Sequence, residues 1–210
     1  MNRFLRGPAC RPFISSYMFI MMMISMTVIM VSCAPVMKMV YGLQTPSPMN
    51  HEQVIDFRNN VFGDTMETAY LQPQASQDLT EWSVPEAFLF DSSGRPIDFR
   101  NPEKPRCNGP LSSFLENLRP MQQHPPAQLE HMQLLIQSFA KIPCTHESMQ
   151  LPPADYHLMI TFSTWAGKQI FKQIVRSWIQ AARSNHHVQI HVTLLNVDEI
   201  HCSGGLNGIR

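Results

Sequence analysis

Charge is scarce in this chain. Charged side chains make up 15% of its 210 residues, against roughly a quarter in an average globular protein. The 16 basic and 16 acidic groups cancel, so there is no cationic excess to neutralise a phosphate backbone, and nucleic acid is not an expected partner. No Cys-x-x-Cys pair occurs among the 5 cysteines, which removes the closely spaced thiols of a dithiol redox centre or a zinc ribbon. Ala166-Gly167-Lys168 ends like a phosphate-binding loop, but the first glycine and the hydroxyl after the lysine are missing. Nucleotide binding is therefore not expected, nor is any cofactor. Low-complexity tracts are also missing, and with 44% hydrophobic residues the chain is not disordered throughout. Its length gives room for one domain or two small ones.

The apolar residues are spread unevenly. Arg3, Arg6 and Arg11 precede Phe13 to Val31, a run without a charge, in the pattern of a basic n-region before an apolar h-region. The run is long for a cleaved signal and just long enough to cross a bilayer as a helix. Met30-Val31-Ser32-Cys33, followed by Ala34-Pro35, resembles the lipobox of bacterial lipoproteins, which implies lipidation of Cys33 as the first mature residue. An uncleaved signal anchor and ordinary cleavage are the alternatives. Both of the leading readings export residues 34–210, with the arginines kept on the inner side. Removal of residues 1–32 takes three arginines and no acid, leaving 13 basic against 16 acidic side chains. No run of basic residues remains that would form a polybasic membrane patch.

In an exported chain, Cys107, Cys144 and Cys202 are disulfide candidates before they are metal ligands. Leu111 to Leu118 and Ala127 to Lys141 read as a helical hairpin, whose antiparallel course would bring Cys107 to Cys144. Cys202 belongs to a glycine-rich tail, where the backbone is loose.

The mature chain divides into segments. Residues 33–50 form a tether with a first strand in the apolar run Met37 to Gly42, broken by Thr45-Pro46-Ser47-Pro48. Asn50 is placed to cap a helix carrying Val54, Ile55, Val61 and Phe62, and Thr68 to Gln72 reads as a strand. Glu86 to Phe90, a turn at Asp91-Ser92-Ser93-Gly94, and Pro96 to Phe99 read as a β-hairpin. Tyr156 to Phe162 reads as a buried strand. In the helix after it, Ile170, Phe171, Ile174, Val175, Trp178, Ile179 and Ala182 form one stripe, with Lys168, Lys172, Arg176 and Arg183 on the other side. Val188 to Val197 alternates as a strand. Strand, helix and strand with an apolar helix face require a crossover onto a parallel sheet. The expected organisation is an α/β domain over 51–200, with a hairpin half at 51–120 and a helix plus βαβ half at 127–200, followed by a flexible tail at 201–210.

Thr161-Phe162-Ser163-Thr164-Trp165-Ala166-Gly167-Lys168, its helix, and Val192-Thr193-Leu194-Leu195-Asn196-Val197-Asp198 resemble the strand, Trp-Cys-Gly-Pro-Cys loop, helix and Asn-x-Asp strand end of thioredoxins. Val84-Pro85, the hairpin and the helix at Leu111 resemble that fold's cis-proline hairpin and final helix. The resemblance implies a cis Pro85, with Trp165 and Pro85 on a face that meets a protein partner. The hairpin precedes the βαβ unit here, so either the topology is rearranged or the first half is a unit of its own. The layout is also similar to that of lipoproteins of Bacteroidota, which implies a location and no activity. Redox chemistry does not carry over, because Ala166, Gly167, Lys168 and Gln169 stand where the thiols would be. Ser163 and Thr164 are expected as helix caps.

Other groupings are weaker. His187 and His191 are about 13 Å apart on an extended strand, too far to share one metal ion, which leaves His201 with Cys202. Tyr156 and His157 read as strand-edge residues, and Asp155, Asp198 and Glu199 as a cluster at strand ends. Trp165 is either a recognition residue or a lid packed over the helix. The leading expectation is a non-catalytic binding or structural lipoprotein. An envelope thiol-disulfide protein using Cys107 with Cys144, or Cys202, is the second, and a hydrolase or metal protein at the histidine-rich end the third.

Overall fold

Asn50 begins the folded part with a reciprocal cap. Its side chain accepts from the Gln53 N–H at 2.8 Å, and the Gln53 side chain accepts from the Asn50 N–H at 3.0 Å, satisfying two donors that a helix start leaves open. The computed structural model describes residues 42–63, 65–72, 84–100, 110–120, 132–145, 147 and 149–201. These lie in the compact unit Tyr41–Arg210. The apolar run 13–31, Cys33, Cys107 and the tail from Cys202 are outside the described residues.

The protein is a mixed α/β structure. Helix α1 (His51–Phe62) is followed by strands β1 (Glu67–Leu71), β2 (Ala87–Asp91) and β3 (Pro96–Ile97). Then come α2 (Leu111–Asn117), α3 (Met132–Gln137), β4 (Phe139–Ala140) and β5 (Tyr156–Phe162). A continuous helix follows, made of α4 (Lys168–Ile170), a π-helical turn (Phe171–Val175) and α5 (Arg176–Ser184), before β6 (Ile190–Asn196). The six strands form one sheet in the order β3-β2-β5-β6-β1-β4. β5 and β1 run parallel to β6 on either side of it, while β2, β3 and β4 pair antiparallel.

Alternation along the strands divides the core into two faces. Leu158, Ile160, Phe162, Leu194, Ala87 and Leu89 point to the face covered by α1, α2 and the long helix. There Phe57, Phe62, Phe162 and Phe171 form a ring cluster with centroid separations of 5.6 to 6.4 Å, which fixes α1 against the β5-helix junction. Met159, Leu195, Ala69, Phe88 and Phe90 point the other way and pack on Met132 and Leu135 of α3, Phe139 and Met149. In the β2-β3 turn, Gly94 has φ +80°, which favours glycine, and a Cβ there would press on the Met132 side chain at 3.3 Å.

The βαβ unit and the β-hairpin form as their patterns predict, and the helical hairpin does not. Leu111, Leu115 and Leu118 bury on the α1 face, whereas Met132 and Leu135 bury on the opposite one. Each short helix follows its own apolar side onto a different surface of the sheet. The expected first strand, in Met37 to Gly42, lies outside the described residues but for Gly42, and residues 43–50 contain a single bridge between Met49 and Ile200.

Asn185 holds α2 to the end of the long helix. Its amide donates to the carbonyls of Leu115 at 2.7 Å and Leu118 at 3.1 Å, while its oxygen accepts from the N–H groups of His187 and Val188. The Asn185 side chain and most of these bonds are buried, so Asn185→Ala leaves several backbone groups without partners. It is expected to lower unfolding free energy by about 2–4 kcal/mol, measured by urea titration. A loss below about 0.5 kcal/mol would show that water replaces the amide.

Candidate functional site

The C-terminal ends of the parallel strands β1, β5 and β6 meet at one edge of the sheet, where ligands bind in open α/β proteins. The loop leaving β5 there is ordered by one carboxylate. Asp198, 2% exposed, accepts from the Thr164 N–H at 3.1 Å and 2.9 Å through its two oxygens, from the Thr164 hydroxyl at 3.2 Å, and from the Asn196 amide at 2.8 Å. Burial pushes its carboxyl above the ordinary value, and the bonds from Asn196 and Thr164 pull against that shift. Ser163 accepts from the Ala166 N–H at 3.3 Å. Ser163 and Thr164 thus order the loop and do not cap the helix, which starts one residue after Gly167. Gly167 has φ +84°, and this left-handed turn re-aims the chain into α4.

A cleft of about 550 Å³ opens beside this loop. Phe57 and Met49 are its apolar lining, and Gln44, Gln53, Asp56, Asn60, Lys168 and Gln169 contribute polar groups. The Lys168 ammonium stands 5.9 Å from the centre of the Phe57 ring. The strap from Gly42 to Met49 forms one wall. Gln44 N–H donates to the Trp165 carbonyl at 2.8 Å, and Met49 bonds through its backbone to Glu199 and His201. The chemistry available is that of amides, one cation, one carboxylate and an aromatic floor, which suits binding. The Thr164 hydroxyl is already held by Asp198.

Pro85 and Trp165 are brought to the same edge. The Val84–Pro85 bond is cis, and Glu86 pairs with Thr161 through its N–H to the Thr161 hydroxyl at 2.7 Å and its carbonyl to the Thr161 N–H at 2.8 Å. This register sets Pro85 beside the end of β5, where the Trp165 loop begins. Both residues are half-buried, and Trp165 packs against the core. Cys144 is disulfide-bonded and exposed. It has φ +63° in the turn after Pro143. The other four cysteines lie outside the described residues.

Several expected groupings separate. Asp155 precedes β5 and accepts from the Gln189 N–H at 2.8 Å, at the sheet edge opposite Asp198, so the acidic cluster does not form. His157 is not an edge residue. It lies on the central strand β5, 5% exposed, in register with His191 of β6, and the two rings meet edge to face at 6.0 Å. His191 Nε2 lies 2.8 Å from a Glu67 carboxylate oxygen, and His157 Nδ1 has no hydrogen-bond partner. Alternation groups His157 with Met159 in the sequence, but the cross-strand partners His191 and Glu67 depend on pairing that the sequence leaves open. The Gly42–Met49 wall of the cleft was equally hidden. Among the described residues no three His, Cys, Asp or Glu side chains are placed to hold a metal ion. No helix among them is long and apolar enough to cross a membrane.

Comparison with protein-family models, with curated proteins and with solved structures gives no match.

Two outcomes are expected. Asp198→Ala strips acceptors from the Thr164 N–H, the Thr164 hydroxyl and the Asn196 amide, lowering stability by about 2–4 kcal/mol. Asp198→Asn keeps one acceptor and removes a buried charge, and the Asn196 amide can turn to offer its unpartnered Oδ1. Its loss is expected to stay within about 1 kcal/mol at pH 7; equal losses in the two variants, compared by urea titration, would refute this account. His157 is held below its ordinary value of 6.5, first by burial and then by His191. A histidine with a depressed folded pKa contributes stability that is full above 6.5 and is lost as pH falls through its folded pKa. Melting curves between pH 7.5 and 5 should therefore show a decline that His157→Leu flattens, and an unchanged slope would assign the decline to other groups.

Proposed function

We propose that this chain is a membrane-tethered envelope protein, held by lipid on Cys33 and facing the periplasm or exterior, whose domain is thioredoxin-like, lacks thiols at the βα loop and works by binding. The observation that carries this reading is the arrangement around β5. A parallel β5-helix-β6 unit sits beside an antiparallel hairpin entered through a cis proline, and Ser163 to Gly167 contains no cysteine. The resemblance to thioredoxins implies these neighbours, with the hairpin and α2 moved ahead of the βαβ unit in the chain. A single sheet joins both halves, which supports rearranged connectivity over two separate units. The binding face proposed for a protein partner is the edge that carries Pro85, Trp165 and the cleft.

The second reading is an envelope thiol-disulfide protein, favoured by the disulfide at Cys144, with Cys107 as its proposed partner. A non-glycine residue at positive φ is strained by about 1–3 kcal/mol, and Cys144 is an exposed residue, as thiol–disulfide exchange with a partner requires.

Intact mass of protein extracted from membranes, alkylated with and without prior reduction, tests both readings. A chain beginning at Cys33 with added acyl mass, together with no dithiol-dependent disulfide reductase activity in the purified protein, is expected. An unprocessed Met1 terminus would replace the lipid by a helical anchor. Reductase activity abolished by Cys144→Ser would overturn the binding reading in favour of the second.

A further inference from the structure

The continuous helix of residues 168–184 carries four cations, Lys168, Lys172, Arg176 and Arg183, and no acid. Spread through the sequence they form no basic run. Steps of about 100° per α-helical residue, smaller through the π-helical turn, gather them on one side of the helix, in a strip about 20 Å long. All four are exposed, and among the described residues none forms an ion pair. Three of them lean across the seam toward α1 and β1. Lys168 stands over Phe57, Arg176 Nε donates to the Val61 carbonyl at 2.7 Å, and Arg183 Nη2 lies 2.9 Å from Met66 Sδ. These contacts aim the strip without neutralising it. Of the acids on α1, Asp56 shares the cleft with Lys168, and neither it nor Glu52 reaches ion-pair distance of a strip cation.

The strip begins where the tether enters the domain. Gly42 packs so close to Gly167 that a Cβ on it would lie 4.0 Å from the Gly167 Cα, and Lys168 is the next residue. The chain between Cys33 and Gly42 spans at most about 30 Å when extended. A domain tethered at Cys33 therefore holds the first cation of the strip at the root of its tether, within that reach of the bilayer.

We propose that the strip Lys168, Lys172, Arg176 and Arg183 docks on the anionic surface of the membrane that holds the N-terminus, with the cations meeting lipid phosphates. The exposed Gln169, Gln173 and Gln180 beside them hydrogen-bond the headgroups. The proposal rests on the tethered reading above and adds to that anchor an electrostatic contact that sets how the domain lies on the membrane. Attraction of this kind falls off within a Debye length and is screened by salt.

The test uses full-length protein reconstituted into vesicles of phosphatidylcholine alone, or with about a third phosphatidylglycerol to supply an anionic surface. Lysine acetylation is followed by mass spectrometry, with exposed Lys141 as the reference. Lys168 and Lys172 are expected to react several-fold more slowly on the anionic vesicles, with the protection lost in high salt and Lys141 unchanged. Lys172→Glu, at an exposed position with no ion pair among the described residues, should weaken protection of Lys168. Equal rates on both vesicles, with the protein floating with them, would overturn the proposal while the tether stands. Protection seen in native membranes but not in lipid vesicles would overturn it in favour of an acidic protein surface. Failure to float with either vesicle would remove the tethered reading and the proposal together.

Discussion

One carboxylate closes the βαβ unit. β5 and β6 are zipped in register over seven residue pairs, from Tyr156 with Ile190 to Phe162 with Asn196, and at the open end of that zipper Asp198 takes up the loop that leaves β5. Without it the Thr164 N–H would be a buried donor with no strand left to pair with. The orientation of the long helix follows, because the loop it ties leads through Gly167 into Lys168. The price is a buried negative charge, set against hydrogen bonds that are stronger for being charged. Burying the charge is a cost that its three donor groups offset, so what the fold needs at this position is the set of acceptors more than the charge.

What the sequence reveals follows the range of the interaction. The long helix and its flanking strands are legible because a 3.6-residue stripe and a run of β-branched and apolar residues are local signals. Asn50 is legible as a cap for the same reason. The fate of residues 111–141 is not, since nothing within Leu111–Asn117 or Met132–Gln137 says which face of a sheet each short apolar side will cover. The site divides in the same way. The absence of thiols between Ser163 and Gln169 can be read directly, whereas the Asp198 network and the His157, His191 and Glu67 row depend on strands brought together from distant parts of the chain. Thr164 illustrates the difference: its hydroxyl has the look of a cap, and a residue 34 positions away claims it first.

The two faces of the sheet differ in kind. One is closed by α1, α2 and the long helix around an aromatic cluster, with the cleft at its rim. The other carries Met132, Met149 and Met159 among its buried side chains, which are unbranched and adaptable, together with a histidine whose Nδ1 lacks a partner. Rigid aromatic contacts thus support the edge where a ligand would bind, and the softer packing lies across the sheet from it.

The sheet's margins complete the picture. β3 and β4 are two residues each, and β3 begins with Pro96, which has no N–H to offer a neighbour. Among the described residues each border strand is thus short, and β3 carries a proline, both of which limit edge-to-edge pairing. Under the tethering proposed above, chains held side by side on a two-dimensional surface would meet far more often than in free solution, and the margins would matter more. Two-residue borders would then offer such neighbours a short template for strand-to-strand association.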